Sequence, residues 1–544
     1  MNIDSNEILI LNECMFSRIF ISFAIIICAL FFHAHNITTV PEGLYLDETS
    51  IGINAGNIAL SGVDEYEKNF PIYFEAFGEW KNPLYIYVSA GVMKLFGISD
   101  FTLRTTSVLF FGIFLFGLYL FTSLVFRNKK HRNILVYFAL ISASCTPWFF
   151  TISRIAFEVI SQIATGIFIL YFAYKYYVMN SSHFTGVWLG ISLGLFLYSY
   201  STSKLIVFGI LLSLFINFFE KKYWKKHTVV SLVFIVLLLP YIYFSYTHSG
   251  ALSARFELLT YLYNTDLSLL EKLGMFLKNY FSSYDISSFL LFEGDKNVRH
   301  SSGFMGQIFF VTFVLFIIGV SKIISDIVTK QVKKQTDKNI GKNISENNIE
   351  NKYKLFLLLL LVGAPIAASL TTDTHHSLRL LFFGFMLFVF SLYGANCIFK
   401  KYSNHFGRII VFIILLTATL IQSYFYFSDY FDKKNGYASR AIQWFDGNKF
   451  EEHAQIAMFS SLSKVVYLFE NTHNPFYANV DFYNLKQLNE KKVTMTKKHS
   501  VIFNSECVIV PQKNIQEFRL QYKKKINEMQ IQLTTDLFTT YCYQ

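Results

Sequence analysis

Charged residues are scarce in this chain: Asp, Glu, Lys and Arg make up 16% of its 544 residues, where a soluble protein carries about a quarter. That deficit excludes an ordinary soluble globular domain. Proline is also scarce, 8 residues against 61 Phe and 34 Tyr, a bias that reads in part as genomic base composition. The six cysteines show no paired spacing of a metal-binding finger. Cys14, Cys28, Cys145 and Cys397 fall in or beside apolar segments. Cys507 and Cys542 can pair if their segment is exported, and two unpaired thiols are the equal alternative. No small-x-small cleavage site follows the first apolar block, Phe16 to Phe32, so that block reads as a retained span and not a cleaved signal. Solenoid repeats are lacking, and the two halves carry no inverted-repeat pattern.

What is present is apolar length. The chain is 53% hydrophobic, with a mean hydropathy of +0.37, and apolar blocks of about 20 residues alternate with short polar connectors, the pattern of a polytopic membrane protein. About eleven spans are expected, near residues 16–35, 104–126, 133–150, 156–178, 184–200, 203–219, 228–247, 304–325, 354–371, 377–398 and 407–428. The net charge of +11 would suggest nucleic acid in a soluble protein. Here it sits in connectors, such as Arg127-Asn128-Lys129-Lys130-His131-Arg132 and Lys221-Lys222-Tyr223-Trp224-Lys225-Lys226, with further clusters over 322–354 and 400–408. All fall on one side of the eleven-span arrangement, which the positive-inside bias makes cytoplasmic. No nucleic-acid partner is expected. The N-terminus is expected inside the plasma (inner) membrane and the C-terminus outside.

The fold class expected is therefore an all-α polytopic membrane domain, 1–428, with a small extracytoplasmic α/β domain, 429–544. Within the first, 37–103 is a first outer loop with a short amphipathic stretch, Pro83 to Phe96. A long outer loop covers 248–303, and 326–353 is a cytoplasmic linker whose stretch 330–352 is polar and without aromatics. Strand-like runs occur at 464–469 and 507–510.

The outer face then gathers Asp47, Glu48, Lys81, Arg104, Arg154, Glu158, Lys204, Arg299, His300, His375, His376 and Arg379. The segment from Pro41 to Pro83 is acidic, with Glu42, Asp47, Glu48, Asp64, Glu65, Glu67, Glu75 and Glu79 against Lys68 and Lys81. Single charges at helix ends often only reach to the interface. Carboxylates and cations converging on one side fit transfer from a phosphate-linked donor, in which a carboxylate takes a proton and cations hold the departing phosphate. Four-residue spacing predicts Arg154 and Glu158 on one helix face, and His376 and Arg379, three apart, on another. Tyr45, Tyr73 and Trp80 are candidate sugar- or lipid-facing aromatics.

Leu44-Tyr45-Leu46-Asp47-Glu48-Thr49, Phe70-Pro71-Ile72-Tyr73-Phe74 and Lys81-Asn82-Pro83-Leu84-Tyr85-Ile86-Tyr87 resemble the first outer loop of integral membrane glycosyltransferases with the GT-C fold. These include the protein O-mannosyltransferases (glycosyltransferase family 39) and the aminoarabinose transferases that modify lipid A. The resemblance continues through Leu95-Phe96-Gly97, Arg104-Thr105-Thr106-Ser107, Ser153-Arg154-Ile155-Ala156-Phe157-Glu158 and 368–379, and covers most of residues 40–400. It implies a glycosyltransferase with a polyprenyl-phosphate sugar donor, an extracytoplasmic acceptor and membrane lipid as partners. No cofactor is required, and a divalent metal is compatible. By the same resemblance Asp47 is the catalytic base, Glu48 a supporting carboxylate and Glu158 an acid near Asp47. Lys81 contacts the donor phosphate, with Arg154, His376 and Arg379 as further phosphate-binding groups; Arg299, outside the matched motifs, is a further candidate cation for that phosphate.

One position departs: aminoarabinose transferases carry an arginine three residues after the aspartate, and this chain has Ser50. The aminoarabinose substrate therefore does not carry over. Trp444-Phe445-Asp446-Gly447 faintly resembles an oligosaccharyltransferase signature but stands alone. His375-His376 offers no evident third metal ligand, so no metal residue is assigned. The rival readings are a transporter or flippase of lipid-linked glycans, and a non-catalytic scaffold of envelope assembly.

Overall fold

The computed structural model describes residues 5–336, 343–442, 444–445, 452–457, 465–468, 477–486, 493–496, 507–521, 528–535 and 538–543. Its helices run α1 (Ser5–Ala34), α2 (Leu46–Ser61), α3 (Pro83–Phe96), α4 (Asp100–Val125), α5 (Arg132–Cys145), α6 (Pro147–Ile152), α7 (Ile160–Ala173), α8 (His183–Leu197) and α9 (Ser203–Asn217). They continue with α10 (Trp224–Thr247), α11 (Ala254–Leu259), α12 (Leu269–Ser282), α13 (Phe310–Thr336), α14 (Asn343–Gly363), α15 (Ile366–Ser369), α16 (Leu381–Lys401) and α17 (His405–Phe431). The stretch expected as a linker, 326–353, is helical through Thr336 and again from Asn343, and 337–342 lie outside the described residues.

Each window expected as a span is helical over most of its length. Among the described residues, 6 helices are long and apolar enough to cross a membrane: Asp100–Val125, Lys221–Thr247, Phe310–Thr329, Ile349–Ser369, Leu381–Lys401 and His405–Phe431. Others are shorter, for a local reason in one case. At α5 the chain stops at Cys145 because Pro147 cannot continue the helix, and α6 restarts with proline in its first turn.

The chain divides into two compact units, Met1–His35, Glu79–Tyr85 and Ser107–Asp432 in one, and Asn36–Gly78, Ile86–Thr106 and Lys433–Gln544 in the other. In the first unit α16 is apolar all round and nearly all of it is buried, as expected of a helix at the centre of a bundle. Helices α10 and α17 instead leave Leu232, Val236, Leu239, Ile413, Ile414 and Tyr424 exposed.

Helices α13 and α16 meet at glycine. A methyl group on Gly319 would collide with the Phe390 carbonyl, and one on Gly394 with the Leu315 carbonyl. Phe316 lies against Phe390 in the same contact, ring centroids 6.4 Å apart, so the helices run parallel. Small residues permit this backbone approach inside membranes. Gly394→Ala is expected to destabilise the protein by about 1–3 kcal/mol, read as a lower unfolding midpoint in detergent. Gly209→Ala, with nothing within 4 Å of the new methyl, leaves the midpoint unchanged or raised.

The strands are β1 (Phe74–Ala76), β2 (Glu79–Lys81), β3 (Val465–Leu468), β4 (Val493–Thr496), β5 (Cys507–Pro511), β6 (Met529–Thr534) and β7 (Phe538–Tyr543). In the second unit the C-terminal strands form a five-stranded sheet of order β4-β3-β5-β7-β6. Strand β3 pairs parallel with β4 and β5, and β7 antiparallel with β5 and β6. Alternation along β5 sends Cys507 and Ile509 to one core and Val508 and Val510 to the other. Cys507 and Cys542 face one another across β5 and β7 and form a disulfide. The helix Tyr477–Lys486 packs on α2, where Phe482 and Leu485 lie over Gly52 and Gly56. Its Lys486 pairs with Asp100 at 2.7 Å.

His453 is buried between the hydroxyls of Thr540 and Thr535, at 2.7 and 2.9 Å. Burial pushes its imidazole down to about 4, so the fold holds it neutral while the unfolded chain titrates near 6.5. Its contribution is whole above that value and is lost as pH falls towards 4. The unfolding midpoint is expected to drop over that interval less steeply in His453→Gln than in the parent.

Candidate active site

In the second unit the acidic pair opens α2, where the helix N-terminus favours negative charge. Adjacent helical residues point about 100° apart, and the two carboxylates differ accordingly. Glu48 is fully buried and Asp47 half-buried. The Glu48 carboxylate accepts from Arg104 Nε and Nη2, each at 2.9 Å, and from the Tyr45 amide at 2.9 Å. Arg104, also fully buried, gives its remaining donors to the carbonyls of Ile37 (2.8 Å), Pro41 (2.7 Å) and Gly43 (2.5 Å). All five guanidinium N–H groups are thus spent on fixing the segment that leads to Asp47. Phe445 and Tyr45 close this anchor, with the Arg104 guanidinium 5.7 Å from the Phe445 ring. Asp446 and Gly447 lie outside the described residues. Ser50, the departure from the aminoarabinose pattern, is fully buried on α2.

In the first unit Asn82 grips both oxygens of the buried Glu158, with its amide at 3.0 Å from Oε1 and its side-chain nitrogen at 2.7 Å from Oε2. This fixes the backbone beside Lys81, which ends the strand Glu79–Lys81. Lys204 acts on Glu158 through charge. Trp80 packs edge-on against Phe244 and His248, and Tyr73, in the second unit, is buried.

Arg154 and Glu158 do not share a helix face, contrary to the spacing argument. Helix α6 ends at Ile152, and 153–159 is a turn with no regular helix. Arg154, fully buried, donates through Nη1 to the carbonyls of His33 (2.6 Å) and His35 (2.7 Å). Its guanidinium lies over Phe150, Tyr430 and Phe431, 5.1 to 5.5 Å from the ring centroids. It thereby satisfies carbonyls at the end of α1, which no helical amide reaches.

His376 and Arg379 likewise lie in turns before α16 and not on a helix. Arg379 donates to Thr371 Oγ1 (2.8 Å) and Asp373 (3.0 Å). His376 stacks on His300, ring centroids 4.8 Å apart. His375 points elsewhere, onto Phe289. Burial, with the charges of His300, Arg379 and Arg299, pushes the His376 imidazole well below its ordinary value. A neutral ring can donate a hydrogen bond to a phosphate but brings no charge to it. Arg299 Nε donates to Asn297 at 2.9 Å.

Asp295, which the sequence reading missed, sits at the centre of this group. It accepts from the Ser377 amide (2.8 Å), the Asn297 amide (2.9 Å) and His300 Nδ1 (3.2 Å). Burial raises its carboxyl, but the His300 contact and the two amides outweigh that and leave it below the ordinary range. Ligand atoms of Asp295, His300 and His376 all lie within 4.8 Å of one another.

Nearly the whole chain is similar in fold to ArnT from Cupriavidus metallidurans. The apo structure matches with TM-score 0.54 and 10% identity over 97% of this chain and 98% of that chain. The structure bound to undecaprenyl phosphate gives 0.52 and 11% over 96% and 97%. The chain has the GT-C fold. A weaker overlap, with the Archaeoglobus fulgidus oligosaccharyltransferase, has TM-score 0.48 and 12% identity over 91% of this chain and 69% of that chain. No protein-family model and no curated protein matches the sequence.

Missed on the sequence, besides Asp295, were the roles of Arg104 and Asn82. An arginine at the start of an apolar helix was the signal for the first. Asn82 stands beside Lys81 in the same motif, and only the fold shows that it holds Glu158.

Proposed function

We propose that this protein is a membrane glycosyltransferase that moves a sugar from a polyprenyl-phosphate donor to an extracytoplasmic hydroxyl acceptor on protein, lipid or glycan. The observation that carries the reading is the GT-C fold across nearly the whole of both chains, shared with an ArnT crystallised with undecaprenyl phosphate. The anchored acidic pair at the start of α2 supports it. Asp47 takes the proton of the acceptor hydroxyl, and the freed oxygen attacks the anomeric carbon from the face opposite the phosphate. The bond between that carbon and the phosphate oxygen breaks, configuration inverts, and polyprenyl phosphate leaves with the electron pair. Lys81, Arg299 and Arg379 stabilise the charge on the leaving phosphate, and His376 adds a neutral donor. Glu48, Arg154 and Glu158 act as positioning residues in this scheme, since each is buried and hydrogen-bonded to protein. The eleven spans, the cytoplasmic N-terminus and an exported 429–544 domain belong to the same proposal, on the distribution of Lys and Arg.

The test is transfer by the purified protein from radiolabelled polyprenyl-phosphate sugars to envelope acceptors. A covalent glycosylated product with stoichiometric release of polyprenyl phosphate is expected. Movement of labelled lipid across a vesicle membrane without any such product would establish the flippase reading instead.

A further inference from the structure

We propose that Asp295, His300 and His376 form a zinc site that ties the 248–303 loop to the segment before α16. This goes beyond the transferase reading and holds whether or not the chain transfers sugar.

The three side chains come from two segments about 80 residues apart in sequence, yet one ligand atom of each lies within 4.8 Å of the others. His300 Nδ1 and Asp295 Oδ2 are 3.2 Å apart. Two ligands about 2.0–2.1 Å from a tetrahedral zinc are separated by roughly 3.3 Å, so this pair already has the spacing of one edge of such a site. His376 is stacked beside His300, ring centroids 4.8 Å apart, with a ligand atom within 4.8 Å of those of the other two. Its Nδ1 is buried with no hydrogen-bond partner among the described residues, a costly arrangement for a polar atom that a metal ion would relieve.

Chemistry selects the ion. Two imidazoles and one carboxylate are zinc ligands, and three protein ligands leave a fourth position for water. Magnesium and calcium take oxygen ligands and do not suit a set with two nitrogens. Outer partners are in place as well. The Ser377 amide holds Asp295 Oδ2 at 2.8 Å, while Trp148 holds the Ser377 carbonyl at 3.0 Å. Such contacts fix ligand orientation. Arg299 opposes the positive ion, whereas Arg379 is offset by Asp373 at 3.0 Å.

The site is tested on the full chain purified in detergent. About one zinc per chain is expected by elemental mass spectrometry. Chelation should lower the unfolding midpoint of the parent protein, and added zinc should restore it. Asp295→Asn and His376→Ala should each bind zinc more than about a hundredfold more weakly, since even outer partners of a ligand are worth 10- to 100-fold. Their midpoints should no longer respond to chelator. A parent protein that neither holds zinc nor shifts on its addition overturns the proposal, as does full zinc retention by His376→Ala. If a variant fails to fold, the chelation and reloading of the parent protein still decide.

Discussion

Asp47→Asn is expected to lower sugar transfer by roughly a hundred- to ten-thousandfold, the usual worth of a positioned general base, without lowering the amount of folded protein. Asparagine matches aspartate in shape but cannot accept the acceptor's proton. The hydrogen bonds of the Arg104 anchor beside it run to Glu48 and three backbone carbonyls. The relevant measurements are the transfer rate in membranes and the unfolding midpoint of the purified variant. A variant that transfers at near-parental rate removes Asp47 from the role of base.

Glu48→Gln should behave in the opposite way. Glu48 and Arg104 are both fully shielded from solvent, and removing one member of a buried ion pair costs about 3–5 kcal/mol because the other charge is left uncompensated. The expected result is loss of folded protein and a lower midpoint, with any remaining folded fraction active. Arg104→Lys should fail similarly, because an ammonium offers three donors where five are in use. The double variant Glu48→Gln/Arg104→Gln should be less destabilised than the sum of its single variants, the signature of direct coupling. A stable but inactive Glu48→Gln would instead place Glu48 in the chemistry. Two adjacent carboxylates thus make opposite predictions, one on rate and one on stability.

The helical windows were readable because long apolar runs have few alternatives in a membrane. The motif around Asp47 was readable because its residue types are costly at a membrane exit. What could not be read was which polar partner each buried group takes. Four-residue spacing implied a helix over Arg154 and Glu158, but Pro147 opens a helix that has ended by Ile152, and the two side chains go separate ways. His375-His376 looked like a pair lacking a third ligand. Asp295 and His300 lie far away in sequence, and folding alone brings them to His376. Cys507 and Cys542 were ambiguous until β5 and β7 set them opposite each other in register.

The glycine contact between α13 and α16 has a mechanical consequence. Each helix follows a polar segment, α13 the one carrying Asp295, Arg299 and His300, α16 the one carrying His376 and Arg379. With backbone locked on backbone at Gly319 and Gly394, neither helix can slide or roll against the other without a collision. The two segments therefore ride on a single stiff strut.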